Sequence, residues 1–228
     1  MNSRYGNKIL ALIVFVIGIW SSLPIQAAVR EYWVAAEKMS WDYAPSGQNL
    51  INPDAGLGVW GKSLKYTKYR YIGYTDGSYT IPLQQAEWMG ILGPQLRGAA
   101  WDTIIVHFLN KTDRPLSMHP HGMHYSKNEE GADGVSAGAS VPPNGSNIYR
   151  WAADEAAGPG PSDPSTIVWL YHSHVMVGEE INLGLIGTLV ITRKGMENSA
   201  SNPFPRDVDH EFISLFMSST KKTMRKAG

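Results

Sequence analysis

The sequence predicts an all-β fold, a Greek-key β-sandwich or barrel. Its apolar segments are short and rich in β-branched and aromatic residues, which suit a pleated, half-buried surface. Clusters of Gly, Pro, Asn and Asp separate them, among them YAPSGQN, GADGVSAGAS, VPPNG and AAGPGPSDPS. Past the first 27 residues, no window of helical period carries caps at both ends. Short strands joined by long loops are the pattern of sandwiches and barrels.

In chain order, Arg4 and Lys8 precede the apolar run Ile9 to Trp20, and SSLPIQA follows with Ala27 at a cleavage point. Residues 1–27 read as a secretory signal peptide. The apolar run is well short of the roughly 20 residues that span a bilayer as a helix, so no stable membrane span is expected after cleavage. The strands expected next are VREYWVAA from Val29, LKYTKYRYI from Leu64 and TIIVHFL from Thr103. SNIYRW from Ser146, TIVWLYH from Thr166 and GLIGTLVI from Gly184 complete the series. They place one domain at 28–195. MENSASNPFPR, polar with two prolines, reads as a linker over 196–206. In 207–228, DVDHEFISLFM resembles a first strand with no partner after it. This stretch reads as the start of a truncated second domain or as a disordered tail.

The chain of 228 residues is 43% hydrophobic with eight tryptophans, enough for one sizeable core. Twenty basic residues balance twenty acidic ones, so nothing electrostatic favours nucleic acid or an anionic membrane as partner. There is no cysteine. An exported chain of this kind is held by its core rather than by disulfides, and thiolate metal ligands are excluded.

Chemistry concentrates in two histidine pairs, HPHG at His119 to Gly122 and HSH at His172 to His174. On a strand, residues i and i+2 share a face about 6.6 Å apart, so each pair aims two imidazoles at one region. Pro120 cannot donate to a sheet ladder, which puts the first pair at an edge or strand end. Alternation in TIVWLYHSH puts His172 and His174 on the face of Val168 and Leu170, which reads as core. One histidine on an apolar face is ordinarily a hydrogen-bonded core residue. Four imidazoles gathered without carboxylates are better explained as metal ligands. All-imidazole sites suit copper or zinc, and without a thiolate no blue-copper site is encoded here. A mononuclear hydrolytic zinc site needs three histidines and an open position, which four can supply. Tyr125 and Ser126 stand where a cupin-type iron or manganese site has its Glu.

At these residues the sequence resembles the first cupredoxin domain of multicopper oxidases, and most closely the ceruloplasmin-like branch. The matching stretches are WDYAPSGQN, LGPQLRG, DTIIVHFLN, SMHPHG, VPPNGSNIYRW, GPGPSDPST, WLYHSHV and GLIGTLVITRKG, in the family's order from about Tyr32 to Gly195. The resemblance implies a cupredoxin (plastocyanin-like) fold. It also implies half of a trinuclear copper cluster, with His119 as ligand to the type 2 copper and His121, His172 and His174 as ligands to the type 3 pair. Asp133, in ADG, resembles an acidic residue that helps move protons to oxygen, though an Asp-Gly turn explains it equally well. In the complete enzyme a reducing substrate, a metal ion or a phenol, is oxidised while O2 is reduced to water.

The departures are as informative. The HPxHxH and HCHxxxH stretches of the family's last domain, which supply the type 1 copper and the remaining cluster ligands, are absent from this sequence. The other histidines, His107, His124 and His210, have no His two residues away and read as structural. Trp101 stands where the family has a glycine. The expectation is a periplasmic or extracellular copper-binding domain, inactive alone, whose cluster is completed by a partner domain or in a homotrimer. The alternative is a stand-alone exported copper-binding or buffering module without catalysis.

Overall fold

The computed structural model describes residues 27–58, 64–132 and 134–217. The expected signal peptide over residues 1–27, all but its last residue, and Asp133 lie outside the described residues. Two four-stranded sheets face each other. The first has the order β2-β1-β4-β6, from β1 (Val29–Asp42), β2 (Lys65–Tyr74), β4 (Thr103–Asn110) and β6 (Ser146–Ala152). The second has the order β3-β8-β7-β5, from β3 (Leu96–Ala99), β8 (Ile186–Thr192), β7 (Thr166–His172) and β5 (His119–Pro120). The pairs β1/β4 and β3/β8 are parallel and the other neighbours antiparallel. The six expected strands are all present, and β1 runs on past Ala36 to Asp42.

Alternation fills the space between the sheets. Ile104, Val106 and Phe108 of β4 and Tyr149 and Trp151 of β6 point inward. They meet Leu96 of β3, Tyr171 of β7, and Leu189 and Ile191 of β8 in one buried cluster. Each such large side chain contributes roughly 1.5–3 kcal/mol on burial, so these few residues supply much of the stability of a chain that has no disulfide. Tyrosines thread the core and keep their hydroxyls bonded: Tyr71 donates to the Ser117 carbonyl (2.6 Å) and Tyr149 to the Gly138 carbonyl (2.6 Å). Burial pushes both phenols far above their usual range, Tyr149 to beyond reach of any physiological pH.

Four short strands and one helix escaped the sequence pattern. β3 and β5 are two to four residues long, and β9 (Glu197–Ser199) and β10 (Asn202–Pro205) form a small antiparallel pair inside the 196–206 stretch. Such strands take their hydrogen bonds from neighbours and are too short to show a period. Helix α1 (Val177–Leu183) has no side-chain N-cap bond, which removes its usual start signal. Its end is held by Gly184, whose N–H reaches the Glu180 and Ile181 carbonyls, and buried Glu180 accepts from the Val175 N–H (3.1 Å). Residues 207–217 form no strand. Glu211 in that segment pairs with Arg97 and accepts from Gln95 (2.5 Å).

Trp101 lies in the turn between β3 and β4 with φ of 78°, the left-handed region that glycine enters freely. Tryptophan thus takes the glycine conformation, and the turn closes with its N–H on the Ala153 carbonyl (2.5 Å). No helix among the described residues is long and apolar enough to cross a membrane.

Candidate metal centre

Pro120 sits where its missing N–H predicts, on the two-residue edge strand β5. The β5–β7 register pairs His119 with His172 and Pro120 with Tyr171, and the His121 N–H then donates to the Leu170 carbonyl (2.8 Å). Residues about fifty apart in sequence are thereby laid side by side. Gly122 follows at φ 69°, and a Cβ there would lie 2.2 Å from ring atoms of Trp169. The glycine of HPHG is a requirement of chain direction and of the indole beneath it.

The four rings gather at one end of the second sheet. Centroids of His119 lie 5.5 Å from His121, 5.5 Å from His172 and 5.0 Å from His174, while His121 is 5.0 Å from His172. His172 and His174 are 5.6 Å apart and stacked. Closest of all, the Nε2 atoms of His121 and His172 approach to 2.9 Å. The face of β7 that carries His172 is not the core face expected from alternation: Val168 on it is 52% exposed, whereas Tyr171 on the other side is fully buried. Both faces of β7 are apolar in sequence, so alternation alone could not say which one turns inward.

Tautomers follow from the partners. His119 Nδ1 lies 2.7 Å from the Glu130 carbonyl and His172 Nδ1 lies 2.8 Å from the Ser173 carbonyl. A carbonyl only accepts, so both Nδ1 atoms carry the proton and both Nε2 atoms present lone pairs. His121 Nε2 therefore donates to His172 Nε2 in the metal-free chain. Desolvation, reinforced by the neighbouring histidines, lowers the His119 pKa below its ordinary value and holds His172 down to about 4. Neutral imidazoles oriented through Nδ1 by carbonyls are the form that binds metal through Nε2. The donor set thus fits copper, which takes imidazole nitrogen readily.

Because the folded His172 pKa lies below the unfolded value of 6.5, the folded chain binds fewer protons than the unfolded chain as pH falls from about 6.5 to about 4. Stability of the metal-free chain is present above that window and declines through it. Urea midpoints measured at pH 7.5 and pH 5 are expected to drop in the native chain and to drop less in His172→Gln. Equal drops would contradict the assignment.

Among the described residues, no three His, Cys, Asp or Glu side chains are grouped as ligands to a single ion. The three remaining histidines sit elsewhere. His107 is stacked on Trp33 at 5.3 Å, His124 is exposed beside Asp154, and His210 is exposed in the 207–217 segment. Three neighbours of the site carry no signal of their own in the sequence pattern. Tyr125 packs edge-on to His119 at 5.9 Å, and the hydroxyls of Ser117 and Ser173 bind the main chain of both histidine motifs. The serines were visible in SMHPHG and HSH, but only the register reveals that they meet.

Comparison with known proteins bears on what this geometry belongs to. Residues 89–195, which contain both histidine pairs, match the multicopper oxidase family. Mouse hephaestin is 38% identical over 93% of this chain, and human ceruloplasmin 35% identical over 81% of it. The chain holds a multicopper oxidase domain of the ceruloplasmin-like kind. It spans about a fifth of the length of these two relatives, 20% of each. A multicopper oxidase from Pseudomonas thermotolerans superposes with a TM-score of 0.50 at 21% identity, covering 76% of this chain and 32% of that one. The β-sandwich is accordingly the cupredoxin fold of that family. Multicopper oxidases use copper and act on O2 and a reducing substrate.

Proposed function

We propose that the chain is the copper-binding N-terminal cupredoxin domain of an exported multicopper oxidase and supplies half of a type 2/type 3 trinuclear cluster. The observation that carries the reading is the gathering of His119, His121, His172 and His174, with Nε2 lone pairs on His119 and His172 set by carbonyl partners. His119 is assigned to the type 2 copper and the other three to the type 3 pair. The 2.9 Å approach of His121 and His172 suits two donors to one ion, because nitrogens each about 2.0 Å from an ion stand roughly 3 Å apart. When bound in a complete cluster, copper supplies the one-electron steps that carry four electrons from the reductant to O2.

This chain's residues bind and orient. The Glu130 and Ser173 carbonyls hold Nδ1 protons, and Trp169 and Pro120 shape the strand end. Asp133 is assigned as a relay that helps move protons to oxygen, on its place in sequence alone. The open sheet edge at β5 gives a second domain, or a neighbouring copy in a trimer, access to the histidines. Export to the periplasm or outside the cell rests on the pattern of residues 1–27.

Titration of the purified mature chain with Cu(II) against a chromophoric chelator tests the reading. Binding is expected to be incomplete and to weaken at least about ten-fold in His121→Ala and in His172→Ala, with no O2 consumption on addition of Fe(II) or a phenol. Unchanged affinity in these variants would refute the ligand assignment. Turnover by the chain alone would refute the half-site, and tight stoichiometric copper binding without turnover would favour the stand-alone buffering module instead.

A further inference from the structure

Beside the histidines, the β5–β7 ladder changes character. His121 donates to the Leu170 carbonyl and His119 pairs with His172. The next rung of an antiparallel ladder would join Ser117 to His174 by main-chain bonds. Side-chain hydroxyls occupy that rung instead. The Ser117 N–H donates to Ser173 Oγ (3.0 Å) and the His174 N–H donates to Ser117 Oγ (2.9 Å). Both serines are fully buried. The Ser117 carbonyl, which an ordinary rung would use, is taken by the Tyr71 hydroxyl (2.6 Å), and the Ser173 N–H is turned to the Leu185 carbonyl (3.2 Å). Ser173 also presents the carbonyl that holds His172 Nδ1.

We infer that Ser117 and Ser173 form a reciprocal hydroxyl clamp that sets the spacing of the two histidine pairs and the tautomer of His172, and so position three of the four imidazoles for metal. This rests on the copper reading above. Neither serine touches the metal in this account; Ser117 acts through the His174 main chain, and Ser173 through the Ser117 main chain and the His172 ring. A hydroxyl inserted into a rung holds the two strands further apart than a direct N–H to C=O bond does. It thereby leaves His174 room to face His119 at 5.0 Å rather than fold into the ladder. Replacing either serine by alanine leaves a buried N–H without a partner, and the rung can recover it only by closing or opening. Either movement shifts His174 and turns the Ser173 carbonyl relative to His172.

Two readouts on the full mature chain test the clamp. Imidazole 15N NMR of the metal-free chain at pH 7.5 is expected to show His172 as a single Nδ1–H tautomer in the native chain, and as a mixture in Ser117→Ala and Ser173→Ala. Cu(II) affinity is expected to fall about ten-fold or more in both variants. Tyr69→Phe, which removes a hydrogen bond to Asp113 (2.7 Å) away from the histidines, serves as the control that loses stability and moves neither readout. Serine variants that behave like Tyr69→Phe would overturn the clamp. Should an alanine variant fail to fold, the cysteine variant of the same serine, with a weak acceptor of similar size, is expected to shift both readouts in the same direction, and unshifted readouts would overturn the clamp. If the native chain binds no Cu(II), the copper reading fails, while the tautomer readout still decides the clamp.

Discussion

Gly122→Ala is expected to destabilise the chain by about 4 kcal/mol and to displace His121. Two penalties act together. The backbone at Gly122 has φ of 69°, where a Cβ costs about 1–2 kcal/mol. That Cβ would also lie 2.2 Å from Cδ2 and Cε2 of Trp169, a distance no real contact sustains. The indole cannot step aside cheaply. It packs against the core, and its Nε1 donates to the Ala157 carbonyl at 2.8 Å. Forcing it out combines an overpacking penalty of about 1–3 kcal/mol with a lost hydrogen bond. Urea denaturation measures the total, and repeating it in a Trp169→Leu background separates the parts. With the larger ring gone, most of the steric penalty is expected to vanish and the backbone penalty to remain, giving a coupling of at least about 1 kcal/mol. A Gly122→Ala chain within 1 kcal/mol of the native one would mean that the indole does not block a side chain at this position.

Asp102→Ala is expected to cost about 3–5 kcal/mol, the range for removing one partner of a buried ion pair. Asp102 is 3% exposed and accepts three bonds: from the Ala28 N–H (2.8 Å), from Arg30 Nε (2.8 Å) and from the Ala99 N–H (2.9 Å). These tie the start of β1 to the turn that links β3 and β4, joining the two sheets where Trp101 holds its left-handed conformation. Alanine would leave the Arg30 guanidinium and two N–H groups without their acceptor. Asp102→Asn keeps one carbonyl oxygen but turns a donor toward donors, so an intermediate loss is expected. Guanidinium denaturation of the three chains orders them native, Asn, Ala. If Ala proved no worse than Asn, the buried charge would not be what holds this corner.

Particular elements show why some of the architecture was legible and some was not. TIIVHFL declares β4 because its inward residues Ile104, Val106 and Phe108 alternate with half-exposed Thr103, Ile105 and His107. TIVWLYH declares a strand just as clearly but not its orientation, because both of its faces are apolar and the fold puts Tyr171, not Val168, in the core. β3 and β5 carry too few residues to show any period. They exist because β8 and β7 offer them hydrogen bonds. Helix α1 lacks an N-cap side chain, and its amphipathic run is only seven residues, so it too is a product of its surroundings.

The all-β class, the six principal strands, the lack of thiolate ligands and the four histidines are legible in the chain, because they depend on residue type and on spacings within one element. It takes the folded chain to bring His121 within 2.9 Å of His172, to set the carbonyls of Glu130 and Ser173 on the ring nitrogens that fix the tautomers, and to bridge the two motifs through Ser117 and Ser173. Those relations join residues some fifty positions apart or arise from loops packed against them. They are set by strand register and by how two sheets close on one core, which no local pattern records.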